Sequence, residues 1–341
     1  MKIVLISGSY PPNICGVADY TEQLYEHLQK ENVDVSVYSG KEWGLSSATR
    51  ISRELSAMGA DLYHIQYPAT GYGWKLGPHF LSVLRPLVVT VHEWSQGHIL
   101  RQLSSLSFTV RPRKIIFTNE YEQRYAQRFA PWIKKRSTRI PIGNNVPLVS
   151  GVDKGSGKVV TCFGLIRPEK GLEQLIKMAR LFKARGNGMT ARIVGTVMPG
   201  NEEYYSRLRD QSKDLPIEWR LGLTGEPLSH VLAETEVAYL PFPDGASERR
   251  SSLIAMLANG AAVITTQGSH TPRDLNKAIL FADSPDKAVL LAETMFNNPR
   301  MRADLQRAAA RHAAKYSWAN IAQEHLMVYR RLLGRDAISD G

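Results

Sequence analysis

Two cations, Arg167 and Lys170, stand in a short turn of a kind that binds anions. The preceding run, Lys158–Cys162, is apolar, contains β-branched residues and lacks a helical period, which predicts a buried strand. The apolar residues from Leu172 to Phe182 are spaced along one side of a helix. Open α/β sheets bind ligands at the carboxyl ends of their strands, and a helix N-terminus offers free N–H groups. The pattern favours a diphosphate site; a solvated basic turn is the alternative.

A second polar turn leads into the predicted helix Leu253–Ala258. Either Ser251 or Ser252 is expected to be its N-cap, which leaves backbone amides for a phosphate. Glu248, in the same turn, could contact a ligand. The alternative is that Glu248 supports the helix N-terminus while the neighbouring Arg249 faces solvent.

Polar residues also follow predicted strands in the first half of the chain. Gly16, at the end of a glycine- and proline-rich turn, would let a ligand approach backbone amides closely. His64 and Gln66 end one strand, and His92 and Glu93 end the next. Two histidines at one sheet edge suggest a site, although a histidine after an apolar strand is often only structural. Neither a standard dinucleotide fingerprint nor a P-loop motif is present.

Strands alternate with helical segments, which predicts mostly parallel sheets covered on both faces. In the first half the predicted strands are Lys2–Ser7, Val33–Ser39, Leu62–Tyr67, Leu87–His92, Lys114–Thr118 and about Ser137–Ile142. A polar, glycine-rich linker follows at residues 143–157. In the second half the strands are Lys158–Cys162, Ala191–Val194, Ile217–Leu221, Val237–Leu240, Ala262–Thr265 and Ile279–Phe281. Two α/β halves place a ligand-binding cleft at the domain interface.

Composition limits the class of protein. The 341 residues suit two domains, and 43% hydrophobic residues exclude a disordered chain. Only two cysteines are present, so a disulfide framework and a structural zinc site are not expected, and a cytoplasmic location fits. The first residues are too short an apolar run for a signal peptide, and no run approaches the length of a membrane span.

The net charge of +11 is concentrated between Arg111 and Arg139. Only Glu120 and Glu122 oppose nine cations there, and aromatic residues are interleaved. This pattern suits an anionic membrane surface or a phosphorylated carrier. A solvated basic surface is the alternative. The chain has no recognised nucleic-acid-binding signature, so we expect no nucleic-acid partner.

Several motifs, taken in order, match one enzyme family. They are Tyr10-Pro11-Pro12 through Gly16, Val91-His92-Glu93, Ile140–Val146, Gly164–Gly171, Leu257–Ile264 and Tyr316-Ser317-Trp318. No single motif is decisive, but their order and spacing cover nearly the whole chain. The chain resembles the retaining glycosyltransferases of family 4 (glycosyl transferases group 1). The resemblance implies the GT-B fold: two Rossmann-like doubly wound domains facing each other across a cleft.

The family's architecture carries over to definite ranges. It implies an acceptor-binding domain at residues 1–148 and a donor-binding domain at residues 152–317. The final helix, at about residues 318–335, is expected to pack back on the first domain. By the same resemblance, His92 and Glu248 would contact the transferred sugar as catalytic residues. The donor diphosphate would be bound by Gly16, Arg167, Lys170, Arg249, Ser251 and Ser252. Other cleft candidates are His64, Gln66, Glu93, Asn144, Gly164 and Gly195.

The resemblance also implies the chemistry. A nucleoside-diphosphate sugar, such as a UDP- or GDP-sugar, would donate its sugar with retention to a glycan or a lipid-linked acceptor. Neither a cofactor nor a metal is expected, and the chain lacks a D-x-D motif. Synthesis of a bacterial surface polysaccharide or glycolipid, at the inner face of a membrane, is the expected setting.

The chain departs from the family's pattern at three positions. Leu165 stands where the family has an arginine directly after the glycine. Alignment on Gly260 places the family's two glutamates at Ser247 and Ala255, so that Glu248 could replace the first and nothing replaces the ribose-binding second. A catalytically weak GT-B protein that serves as a partner subunit is therefore an alternative. A sugar-nucleotide epimerase of related fold would need active-site acids that the sequence does not identify.

Overall fold

The chain folds into two units, each built on a parallel sheet. The computed structural model describes residues 1–13, 15–40, 42–95, 97–155 and 157–335. The first unit runs from Met1 to Gly143 and resumes at Tyr316, and the second runs from Asn144 to Lys315.

The first unit contains a six-stranded parallel sheet with the order β2-β1-β3-β4-β5-β6. Its strands are β1 (Lys2–Ser7), β2 (Asp34–Tyr38), β3 (Leu62–Tyr67), β4 (Val88–Val91), β5 (Lys114–Phe117) and β6 (Ser137–Arg139). The central strands are buried on both faces, as their continuous apolar sequences require. The connecting helices are α1 (Gly16–Lys30), α2 (Ala48–Ala57), α3 (Gly77–Leu84), α4 (Ile99–Ser104) and α5 (Glu120–Phe129).

The second unit repeats this plan with the strand order β12-β11-β10-β7-β8-β9. Its strands are β7 (Val159–Phe163), β8 (Thr190–Gly195), β9 (Ile217–Leu221), β10 (Val237–Leu240), β11 (Ala262–Thr265) and β12 (Ile279–Phe281). Its helices are α6 (Leu172–Arg185), α7 (Glu202–Gln211), α8 (Gly225–Ala233), α9 (Ser251–Ala258), α10 (Pro285–Asn297) and α11 (Pro299–Ala313). One continuous apolar core joins the sheet to α6, α9 and α10.

The last helix, α12 (Trp318–Leu332), belongs to the first unit. Ser317 caps it by accepting a hydrogen bond from the amide of Asn320. Its apolar side packs on α1, and a Cβ at Gly143 would lie 2.3 Å from the Trp318 ring. Short 3-10 segments complete the fold at Leu45–Ser47, Thr70–Tyr72, Ser105–Thr109, Pro131–Arg136, Arg273–Lys277 and Ala314–Tyr316.

The predicted α/β class with two parallel sheets is confirmed, and every strand lies within a few residues of its predicted position. The sixth strand is shorter than predicted and ends at Arg139. Its last hydrogen bond to the sheet is the one that the Ile140 amide donates to the Phe117 carbonyl. Within the described ranges, no helix combines the length and the apolar character that crossing a membrane requires.

Candidate active site

The turn after β7 is held in a single conformation by the strands beside it. Ile166 bridges Val197, donating to Thr196 and accepting from Met198. Glu169 has a φ of 69°, an unfavourable value for a residue with a side chain. Gly171 has a φ of 73°, and a Cβ there would lie 1.9 Å from the Pro241 carbonyl oxygen, so only glycine fits. The turn therefore presents Lys170 from a fixed backbone at the start of α6.

Lys170 is a half-buried cation with other cations around it. Burial lowers the pKa of Lys170, and the nearby Arg250 and then Arg167 lower it further. Arg250 pairs with Asp244, and its guanidinium carbon lies 4.8 Å from the centre of the Phe242 ring. Lys170 itself makes no ion pair with any described residue of the second unit. An anion bound here would relieve the repulsion of Lys170 by Arg250 and Arg167.

A small cavity opens beside this cation. It is lined by Cys162, Phe163, Gly164, Leu165, Lys170, Leu172, Ile193, Val194, Leu240 and Phe242. Most of these side chains are apolar, so they screen the positive charge less than water would. The cavity lies at the carboxyl ends of β7, β8 and β10, where parallel sheets bind ligands.

Close backbone packing brings three predicted site residues together. A Cβ at Gly195 would lie 1.9 Å from the Gly164 carbonyl oxygen, so these two strand ends touch. Ser252 lies beside Gly164: its Cβ is 3.6 Å from the position that a Cβ on Gly164 would occupy. The prediction that Ser251 or Ser252 caps α9 was wrong. Arg250 is the N-cap, and its backbone carbonyl accepts a hydrogen bond from the Ile254 amide, while Ser251 and Ser252 belong to the first turn of the helix. The amides of both serines still lie at the helix N-terminus.

Glu248 is buried, and Lys315 supplies a countercharge with its Nζ 3.6 Å from Oε1. Lys315 also pairs with Asp274 at 2.8 Å. Arg249, the residue after Glu248, is half-buried. Ala255, at the family's second glutamate position, is 1% exposed and packs in the apolar core. A small apolar side chain therefore occupies position 255.

A hydrogen-bonded chain in the first unit runs from the end of β4 to the last helix. His92 Nε2 donates to Gln66 Oε1 at 3.0 Å, and Gln66 Nε2 lies 3.4 Å from His64 Nε2. His64 Nδ1 lies 2.6 Å from the Tyr329 hydroxyl, and His64 Nε2 lies 2.7 Å from Thr90 Oγ1. The expectation that His64 and Gln66 line the ligand site needs correction. Both are fully buried within the sheet and are placed to hold His92, which is partly exposed.

Two of the remaining predicted residues, Gly16 and Glu93, lie in the first unit, and the third, Asn144, is the first residue of the second unit. Gly16 begins α1 and is exposed, and a Cβ there would meet no described atom within 4 Å. Glu93 is exposed directly after His92. Asn144 binds its own turn, donating to the Val146 carbonyl and accepting from the Val146 amide.

Three buried histidines (His64, His79 and His325) and the half-buried His92 should make the first unit sensitive to acid. Burial lowers the pKa of His79 to about 4, of His92 to about 3 and of His325 to about 4, and it holds the pKa of His64 well below its ordinary value. In the unfolded chain each would titrate near its ordinary value of about 6.5. Below that pH the unfolded state binds more protons, so stability falls. We expect a lower urea midpoint at about pH 5.5 than at about pH 7.5; an equal or higher midpoint would contradict this.

Glu122, one of the two acidic residues of the basic segment 111–139, is a structural residue. It is fully buried on α5 and accepts from the amides of Trp94 and Ser95, both at 2.8 Å, and from the Ser95 hydroxyl at 2.6 Å. It therefore fixes the loop that follows His92. The sequence carries one sign of this role: Asn119 caps α5 by accepting a hydrogen bond from the Glu122 amide.

Replacing Glu122 with glutamine should destabilise the protein by about 2 kcal/mol, because a buried anion that accepts three hydrogen bonds is lost. Urea unfolding followed by circular dichroism measures this. Glu120→Gln, an exposed position in the same helical turn, is the matched control and should change stability by less than about 0.5 kcal/mol. Equal effects of the two substitutions would refute the structural role of Glu122.

No metal-binding arrangement was found in the part of the chain that the structure describes: no group of three or more His, Cys, Asp or Glu residues could hold an ion.

Comparison with known proteins establishes the fold. No family model matches the chain, and no curated protein matches it. Among solved structures, the Anabaena protein HepE in complex with UDP has a TM-score of 0.72 at 14% identity, covering 97% of this chain and 100% of that one. Sucrose-phosphate synthase from Thermosynechococcus elongatus has a TM-score of 0.69 at 14% identity, covering 98% and 100%.

A third structure carries a different activity in its description. It is a candidate UDP-N-acetylglucosamine 2-epimerase from Listeria monocytogenes, with a TM-score of 0.65 at 11% identity, covering 98% of this chain and 97% of that one. At such identities the likeness concerns the fold alone. The chain has the GT-B fold over nearly its whole length.

Proposed function

We propose that the protein is a retaining, metal-independent glycosyltransferase that uses a nucleoside-diphosphate sugar. The observation that carries the proposal is the half-buried cluster of Lys170, Arg250 and Arg167 at the sheet edge of the second unit, beside a largely apolar cavity. A diphosphate is a ligand whose charge suits this cluster. HepE, which shares the fold, has been crystallised with UDP and with UDP-glucose, and this supports a nucleotide-sugar donor here.

In this proposal the second unit stabilises the leaving group. Lys170 pairs with the diphosphate and offsets the charge that develops as the bond to the sugar breaks. Arg167 assists it, and Arg250 takes the place of the family's arginine, for which this chain has Leu165. The free amides of Ser251 and Ser252 and the side chain of Arg249 add phosphate contacts. The exposed start of α1 at Gly16 is a further proposed phosphate contact.

The transfer step proceeds on one face of the sugar. The bond from the anomeric carbon to the phosphate oxygen breaks while the acceptor oxygen bonds to that carbon from the same side. The acceptor's proton passes to the departing phosphate oxygen, so no separate general base is required. His92 and Glu248 hold hydroxyl groups of the transferred sugar. Burial, followed by the nearby His325, lowers the pKa of His92 to about 3, so His92 acts as a neutral hydrogen-bonding group.

We place the enzyme in the cytoplasm at the inner face of a membrane, where it extends a glycan or a lipid-linked acceptor of a bacterial surface polysaccharide or glycolipid. The exposed cations of residues 111–139 support contact with anionic lipid. No cofactor takes part.

Turnover of sugar nucleotides tests the proposed function. The purified protein is incubated with UDP-, GDP- and ADP-sugars in the presence of membrane extract, with and without EDTA, and the released nucleoside diphosphate is measured. We expect release from one base class, unchanged by EDTA, and a product whose anomeric configuration by NMR equals that of the donor. An inverted product would refute retention, and loss of release with EDTA would refute metal independence.

A second candidate function is a nucleotide-binding partner subunit without transfer activity. Ala255, buried where the resembled family binds ribose, favours it. Nucleotide binding without release of nucleoside diphosphate from any donor would support the partner subunit and exclude the transferase. The epimerase alternative predicts a C2-epimerised sugar nucleotide without added acceptor.

A further inference from the structure

Apolar side chains are unusually exposed on one surface of the first unit. The Val110 surface, as we define it, comprises Val83, Val110, Phe129 and Trp132. Val110 is 64% exposed, Trp132 58% and Phe129 57%. Isolated exposed apolar residues are ordinary, but a group of them on segments that are tied together marks a surface that contacts something other than water.

Hydrogen bonds join the segments that carry this surface. Arg111 Nη1 donates to the Val83 carbonyl at 2.9 Å, which ties the end of α3 to the residue after Val110. Trp132 Nε1 donates to the Thr109 carbonyl at 3.2 Å. Arg136 donates to the carbonyls of Thr109 and Val110. The apolar side chains therefore project from a fixed frame, with the neighbouring Ile133 fully buried beneath them.

The charge around the Val110 surface is positive. Arg111, Arg128, Lys134 and Lys135 are exposed in the same segments. Of the two acidic residues between 111 and 139, Glu122 is buried, and Glu120 pairs with Arg124 and Arg139. An exposed apolar group with an indole and surrounding cations fits a lipid interface, where the indole lies at headgroup level and cations meet phosphates.

We propose that the Val110 surface docks on anionic lipid bilayers, with Val110 and Trp132 entering the boundary between headgroups and acyl chains. The inference deepens the membrane location in the proposed function and rests on it, but it is independent of which donor the enzyme uses. A lipid surface is the partner because the same short segments supply both apolar side chains that can insert and cations that can contact phosphates. Basic residues near such a surface add an attraction to lipid phosphates that salt screens, and the apolar side chains add a contribution that salt does not screen.

Vesicle sedimentation with the full chain tests this docking. We expect binding to phosphatidylcholine vesicles that contain phosphatidylglycerol, at least about tenfold weaker binding to phosphatidylcholine alone, and a blue shift of tryptophan fluorescence on binding. Trp132→Ala should abolish most of that shift. The double substitution of Val110→Asp and Trp132→Asp should weaken binding more than about tenfold. Lys134→Ala with Lys135→Ala should weaken binding and reduce its dependence on salt.

Leu290→Asp is the matched control, because Leu290 is 53% exposed on α10 of the second unit and carries the same apolar-to-acid change. It should bind vesicles like the native chain. Wild-type vesicle binding by the Val110 and Trp132 double variant would overturn the proposal. A second result would also overturn it: the native chain does not bind vesicles but self-associates, and the double variant loses this self-association. That result would assign the surface to a second copy of the chain. Nucleoside diphosphate binding, measured on every variant, shows separately whether the donor site exists.

Discussion

Replacing Lys170 with methionine should weaken nucleoside diphosphate binding about thirtyfold and reduce turnover about a hundredfold or more. Methionine keeps an apolar stem of similar length, so the change removes mainly the charge. A hydrogen bond to a charged group contributes about 2 kcal/mol, which is the thirtyfold loss in affinity. Turnover should fall further, because the charge on the leaving phosphate is greatest in the transition state and loss of one stabilising donor costs about 10²–10³ in rate.

Calorimetric titration with the nucleoside diphosphate and a steady-state release assay measure the two effects. Lys177→Met, at an exposed position on α6, is the matched control and should leave both values unchanged. Native affinity and turnover in the Lys170 variant would remove Lys170 from the diphosphate site.

Replacing His92 with alanine should lower turnover about a hundredfold while leaving nucleoside diphosphate affinity within about twofold of native. With Gln66 Oε1 as acceptor, His92 Nε2 carries the hydrogen, so Nδ1 is the ring atom that can accept from a sugar hydroxyl. The nucleoside diphosphate lacks that sugar, and its binding should therefore be indifferent to the substitution. His230→Ala, on the exposed side of α8, is the control.

The pH dependence of the same reaction provides a second readout for His92. Because the pKa of His92 lies near 3, its neutral form persists across the assay range, and turnover should not fall through protonation of His92 between about pH 8 and about pH 5. Native turnover in His92→Ala would exclude the sugar contact. An equal loss of nucleoside diphosphate affinity would mean that His92 acts through the structure of the site.

The fold could be predicted from sequence because the strands carry strong local signals. Runs such as Val88–Val91 are apolar throughout, as a strand covered on both faces must be, and the spacing of Leu172, Leu175 and Ile176 marks one helical face. The turn with Arg167 and Lys170 was predicted from its place between a strand, Val159–Phe163, and the helix that begins at Leu172. Its role as a diphosphate site remains a prediction, since fold likeness at 11–14% identity does not test it.

Long-range contacts account for what sequence reasoning missed. His64 lies in the middle of β3 and points to Tyr329, far along the chain on the last helix, so its burial could not be read from neighbouring residues. Glu122 belongs to a basic, polar segment, yet it is buried because the loop after β4 brings two amides to it. Arg250 lies near Lys170, and no local pattern in the sequence marks this contact. Its proximity to Lys170 depends on how the loop after β10 packs against Gly171.

Calorimetric titration of the native protein with UDP, GDP and ADP tests the central claim most directly. We predict saturable binding of one base at micromolar concentrations, with one site per chain, and loss of that heat when Lys170 is replaced. Absence of binding by all three nucleotides at millimolar concentration would contradict a donor site in the second unit, and with it the assignment of the protein as a glycosyltransferase.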